Sequence, residues 1–162
     1  MARNDTPAPV QASLLDRLLD DDPEQEREAP RTLAQSVRDL ERAIERDLRD
    51  LLNTRLRPGA LPTGLEKSLL GYGVPDLAAT NLAAPAARAE FLRSIEAVIR
   101  RFEPRFDPRS VKVVAHEGAT DVDRRVRFRI QATVLADPVP QAVVFDSELE
   151  PAQRRFQLNA RT

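Results

Sequence analysis

The sequence predicts an α+β fold, with helices first and then a mainly antiparallel four-stranded sheet that carries the helices on one face. Two observations predict it. Up to Phe102, apolar residues recur at three- and four-residue spacing, the period of amphipathic helices. Beyond Pro104 the period drops to two, the alternation of half-buried strands. Residues 1–30 read as an N-terminal arm with a short leucine-rich helix and an acidic linker, and residues 31–162 as one α+β domain.

Leu14, Leu15, Leu18 and Leu19 make one narrow helical stripe in the arm. A helix this short does not hold alone in water, so the stripe needs a surface, either the chain's own core or a partner. The stretch from Asp20 to Ala29 is acidic and poor in apolar residues, which predicts a solvated linker. Pro30 suits a first-turn position. Leu33, Val37, Leu40, Ile44, Leu48, Leu51 and Leu52 then mark the inner face of a long helix that should end near Asn53 and Thr54, ahead of Pro58 and Gly59. A loop-rich stretch follows, with a helical turn over 65–70 stopped by Gly71, Tyr72 and Gly73; Tyr72 is the candidate packing anchor. A phosphate loop would need a following Lys-Ser/Thr and a preceding strand, and neither is present.

The second long helix starts near Pro85 and turns Phe91, Leu92, Ile95, Val98, Ile99 and Phe102 inward. It must stop at Glu103, because Pro104 disfavours helical backbone in the residue before it. Val111 and Val113 open the first strand, and Gly118 signals a turn. Val126, Phe128, Ile130, Ala132 and Val134 then alternate with Arg125, Arg127, Arg129, Gln131 and Thr133, giving one apolar and one wet face. The segment 137–140 breaks that strand, residues 142–145 form another, and 155–158 a last edge strand whose free side could extend a partner's sheet.

Composition narrows the chemistry. Cysteine is absent and His116 is the only histidine, which excludes disulfides, thiol nucleophiles and paired-histidine metal sites. There is no tryptophan and one tyrosine, so platforms for sugars or bases are scarce. With 25 Lys+Arg against 26 Asp+Glu the net charge is −1, and no strongly basic domain points to nucleic acid. No apolar run reaches the ~18 residues of a membrane span, and Met1–Asp5 is not followed by a signal-peptide core. These features predict a soluble cytoplasmic protein that acts by contact, with no cofactor and no metal.

Two groups in the domain are candidates for function. Glu103, Pro104 and Arg105 form a rigid corner where helix gives way to strand. Glu103 faces the negative end of the helix dipole, so it wants a cation. Two readings stay open: an intrachain pair that locks the corner, or an ion pair presented to another subunit. On the second reading, alanine at either residue should leave melting near normal and weaken association. A general-acid role for Glu103, with Asp107 as second carboxylate, is disfavoured by Arg100, Arg101, Arg105 and Arg109, which favour ionised carboxylates. The row of Arg125, Arg127 and Arg129 reads as a solvated sheet face, a phosphate surface without interleaved aromatics, or a site for a partner's carboxylates.

Several blocks carry a family resemblance in order along the chain. Ser13–Leu18, Asp50–Arg55, Ser68–Leu77, Ile99–Arg105 and Val143–Ser147 together resemble the TssE family of baseplate subunits in bacterial type VI secretion systems. The wider superfamily is that of the wedge protein 25 of contractile phage baseplates, often labelled lysozyme-like. The resemblance implies a structural, non-enzymatic α+β protein at the cytoplasmic face of the inner membrane. It implies TssF and TssG as wedge partners, with TssK as a further neighbour, and the TssB–TssC sheath as the structure it docks or initiates. The family's Glu-Pro-Arg signature maps onto Glu103, Pro104 and Arg105, followed here by Phe106 where an aliphatic residue is usual. Partner contact is thereby assigned to these three and to Leu14, Leu15, Leu18 and Leu19, without nucleic acid or membrane insertion. A stand-alone adaptor of the same fold and a peptidoglycan hydrolase are the competing readings.

Overall fold

The computed structural model describes residues 32–56, 59, 61–76, 82, 84–116, 125–136, 140–150 and 153–161, together with Leu15 and Leu18. The acidic linker, Pro30, Gly118 and the remaining leucines of the arm, Leu14 and Leu19, lie outside the described residues. Helix α1 runs Leu33–Asn53 and α2 runs Pro85–Phe102, with a short 3-10 turn at Leu69–Gly71 between them. Four strands follow: β1 Lys112–Ala115, β2 Val126–Val134, β3 Gln141–Glu150 and β4 Arg155–Ala160. They form one antiparallel sheet in the order β1-β2-β3-β4, as the period switch predicts.

Start and stop signals explain the helix bounds. Thr32, not Pro30, opens α1: its hydroxyl accepts from Gln35 N, and the Gln35 side chain accepts from Thr32 N at 2.8 Å, a reciprocal capping box. At the other end α1 stops at Asn53, and α2 ends at Phe102 with Glu103 as its cap, as the proline requires. The chain then returns from the 3-10 turn to run beside the exit of α1. Val74 N donates to Thr54 O and Leu56 N to Val74 O, both at 2.9 Å. Gly73 makes this approach possible: its φ is +113°, and a Cβ there would lie 2.6 Å from Thr54 O.

The helices share the inner face of the sheet, α1 toward β4 and α2 toward β1. Between the layers lie Ile44, Leu48, Leu52, Ile95 and Ile99 from the helices, with Phe128, Ile130, Phe145, Leu149, Phe156 and Leu158 from the sheet. Phe156 stacks on Phe91 at 6.3 Å between ring centroids and takes Phe128 edge-on at 6.1 Å. Strand β3 is longer than its apolar run suggests. Ser147 sits on the inner face, buried, with its hydroxyl donating to Gln157 O, while Asp146 and Glu148 point outward.

Both outer edges of the sheet exchange hydrogen bonds with helix side chains, β4 along most of its length and β1 at its start. Along β4, Asn53 brackets Phe156, accepting from its N–H at 2.9 Å and donating to its C=O at 3.1 Å. One turn earlier Arg49 reaches Leu158 O at 3.4 Å, and another turn earlier Glu45 accepts from Ala160 N at 3.4 Å. Along β1, Glu96 accepts from Val113 N at 3.0 Å and Arg100 donates to Val111 O at 2.9 Å. In each helix the glutamate and the arginine four residues later are themselves ion-paired. The match is geometric: four helical residues rise about 6 Å, close to the ~6.7 Å of two strand residues. The edge of β4, expected from the sequence to be free for a partner's strand, is therefore already occupied by α1.

Candidate functional site

The corner after α2 is tied down on three sides. Glu103 N still donates to Ile99 O at 2.9 Å, and Phe106 N closes the turn onto Glu103 O at 3.3 Å. Beyond it Leu135 N donates to Arg105 O at 2.7 Å and Asp107 N to Thr133 O at 2.9 Å, which hooks the segment onto the end of β2. Phe106, buried, bridges Val134. An aromatic residue fits this position because it fills the core beneath the hook. Pro104 remains exposed at the apex.

The Glu103 side chain is only 3% exposed. One carboxylate oxygen accepts from Arg105 N at 3.1 Å and from Arg105 Nε at 2.7 Å, and the other accepts from Arg105 Nη2 at 2.5 Å. The same Nη2 also reaches Asp47 Oδ2 on α1 at 2.7 Å, and Asp47 Oδ1 is held by Arg46. The array is a guanidinium fork bridging two carboxylates from two helices, the use for which arginine is suited over lysine. Burial pulls the Arg105 pKa down, but the bonds and charges of Glu103 and then Asp47 outweigh it and hold the group above its ordinary value. The pair is thus intrachain and largely buried, which gives it a share in stability that a presented, exposed pair would lack.

Beside this array lies an open pocket of about 440 Å³, floored by Leu51 and Phe102 and walled by Tyr72 and the corner itself. Tyr72 meets Phe102 edge-on, 5.3 Å between centroids, and so is the half-buried anchor that its two flanking glycines suggest. Burial, and then the carboxylates of Asp50, Asp47 and Glu103, raise its pKa, so its hydroxyl stays neutral. The sequence reading missed Asp47. Its signal was a charged residue next to Leu48 and Leu51, on the flank of the buried stripe of α1.

The arrangement does not suit acid catalysis. Both oxygens of Glu103 are engaged by Arg105, and the nearest second carboxylate, Asp47, is bridged to it by the same arginine rather than set across a cleft. Asp107 does not line the pocket; its Oδ1 accepts from Arg109 N at 2.9 Å as a local turn bond. His116 is exposed at the end of β1, and no cluster of three or more metal-ligating side chains occurs among the described residues. The arginine row has carboxylates within this chain: Arg125 and Arg127 share Glu148, and Arg129 pairs with Asp146. Of the leucine stripe, Leu15 and Leu18 are helical and exposed, at 55% and 80%.

Among the described residues no helix is long and apolar enough to cross a membrane. No curated protein and no solved structure matches the chain. A family model does: that of baseplate wedge protein gp25, over residues 38–139, from the second turn of α1 through β2 and across the whole Glu103–Arg105 corner. By that match, which spans more than half of the chain and takes in most of α1, all of α2 and the first two strands, the protein belongs to the family of baseplate wedge protein gp25.

Proposed function

We propose that this chain is a TssE-type subunit of a type VI secretion baseplate, held at the cytoplasmic face of the inner membrane. In this reading it joins the wedge built on TssF and TssG, near TssK, and starts the contractile TssB–TssC sheath. It works by protein–protein contact without turnover. The observation that carries the reading is the family match across the Glu103–Pro104–Arg105 corner, together with the pocket this corner walls. A rigid, charge-balanced rim around an apolar floor suits docking, because little side-chain freedom is left to lose on association. The arm over 1–30 supplies a second contact through Leu14, Leu15, Leu18 and Leu19; the exposure of Leu15 and Leu18 supports this. The sheath contact is not assigned to the edge of β4, which α1 already covers.

The test is retrieval of tagged protein from secretion-competent cells with identification of the bound chains. Wild type should bring down wedge subunits. Pro104→Arg, which places bulk at the exposed apex, and the double substitution Leu15→Ser, Leu18→Ser should each lose them while melting as wild type does. Retrieval of a single protein from outside any baseplate would favour the adaptor reading. Undiminished wedge retrieval by both variants would remove these residues from the contact.

A further inference from the structure

The face of the sheet turned away from the helices is an arginine ladder. In successive rows stand Arg161, then Arg129 with Asp146, then Arg127 with Glu148. Asp146 is shared by Arg129 at 2.7 Å and Arg161 at 3.8 Å, and Glu148 by Arg127 at 3.1 Å and Arg125 at 2.6 Å. Two guanidiniums on the one carboxylate of Asp146 leave that rung cationic. Lys112 and Arg155 add charge on the same face, against one further acid, Glu150. Leaving Arg125 aside, cations outnumber carboxylates five to three on the described part of this face. A shallow depression of about 230 Å³ along the ladder also carries the amides of Gln157 and Asn159.

We propose that this face is the docking surface for the chain's own acidic segment, Asp20–Glu28, bound in cis. That segment holds six acids and one arginine, the complement in sign of the ladder. Distance allows it. Glu45 lies level with Ala160, and α1 begins twelve residues earlier, so its N-terminus stands about 18 Å beyond the end of β4. The row of Arg127 lies two dipeptide steps further along the sheet from the row of Arg161, about 13 Å. Residues 20–31, extended, span about 40 Å, enough to bring Asp20–Asp22 to Arg127 and Glu28 to Arg161. A nucleic acid would meet the same charge, but the described outer-face residues include no Phe, Tyr or Trp, and the single imidazole of His116 at the rim of the depression is no row of stacking platforms. Docking in cis would hold the leucine stripe at a set distance from the sheet, so the inference is independent of which machine the stripe contacts.

The absence of cysteine makes a direct test available. A nitroxide on Gln25→Cys should erase the amide signals of residues 127–129 and 157–159 in the full-length chain at low salt. Signals of α2 residues 91–99, on the other face, should survive. The erased signals should return in about 1 M salt, where the screening length falls to ~3 Å. They should also return when Asp20, Asp21, Asp22 and Glu24 are changed to their amides in the labelled chain. Unchanged sheet signals at low salt would overturn the inference. So would equal erasure when the label and the ¹⁵N are on different molecules, which would place the segment on a second copy. Displacement of the segment by a short oligonucleotide at lower concentration than by a polyglutamate peptide would assign the ladder to nucleic acid instead.

Discussion

Truncating the two ends of the corner's ion pair should have unequal effects. Arg105→Ala leaves Glu103, 3% exposed, as a carboxylate whose remaining described donor is a backbone N–H. A buried charge stripped of its partner costs about 3–5 kcal/mol. Glu103→Ala leaves Arg105 at 23% exposure and still bonded to Asp47 at 2.7 Å, with a long side chain that can turn to water. That loss is one of charge-assisted hydrogen bonds, about 1.5–3 kcal/mol. For a chain of this size each kcal/mol moves the midpoint by about 2–4 °C, so Arg105→Ala should melt on the order of 10 °C low and Glu103→Ala clearly less. The double alanine variant should be no worse than Arg105→Ala, because the stranded carboxylate is gone. Thermal and urea unfolding of all three proteins provide the measurement. Melting of Arg105→Ala within about 2 °C of wild type, or a larger loss in Glu103→Ala, would refute the account of the pair as a buried lock. The near-normal melting expected of an exposed pair is thus replaced by a stability loss that any assembly assay on these variants must control for.

Other expectations follow from single features. Thr32→Ala removes the capping box at α1 and should cost about 1 kcal/mol in urea unfolding, with Thr32→Ser close to neutral. Asn53→Ala should speed hydrogen exchange at the Phe156 amide well beyond that of its β3-paired neighbours, since it unbrackets that residue alone. Gly73→Ala should be among the most destabilising single-methyl additions, because it meets both a φ of +113° and a carbonyl at 2.6 Å; a neutral result in calorimetry would mean the 71–74 segment can shift. Burial works to raise the Glu148 pKa, but hydrogen bonds from Arg125 and Arg127 outweigh it and hold the carboxyl below its ordinary range. A carboxyl depressed in the folded state stabilises above its unfolded pKa of about 4.3 and loses that contribution as pH falls through the lower folded value. Arg127→Gln should therefore flatten the acid limb of the stability–pH profile; an unchanged limb would show the pairing is not felt.

What could be read from the sequence was what has a period or a punctuation mark. The stripes Ile44–Leu48–Leu52 and Ile95–Val98–Ile99 gave both helices, and Pro104 gave the end of the second. Alternation from Val126 to Val134 gave β2 with its correct inner face. Polar residues doing structural work were not legible. Glu45, Arg49 and Asn53 look like a solvated helix flank until β4, about a hundred residues later, is laid beside them. The C-terminal half of β3 was hidden because an inward serine interrupts its apolar alternation. At the corner, the local pair Glu103–Arg105 could be proposed from spacing alone, whereas the third member, Asp47, is 58 positions from Arg105 and needed the fold to bring it in.

The side-chain brackets along β1 and β4 bear on how this sheet can meet any other. A strand arriving at β4 would have to trade its own bonds for those of Glu45, Arg49 and Asn53, whereas at β1 Glu96 and Arg100 hold only Val113 N and the adjoining Val111 O. Such an exchange is nearly balanced in hydrogen bonds, so its rate is set by how fast the helix side chains let go rather than by how much the newcomer gains. Between encounters the β4 border therefore offers little to another copy's strand, which opposes edge-to-edge stacking there. The two ionic brackets weaken with salt while the Asn53 bracket does not, so the border of β1 should be the first to open.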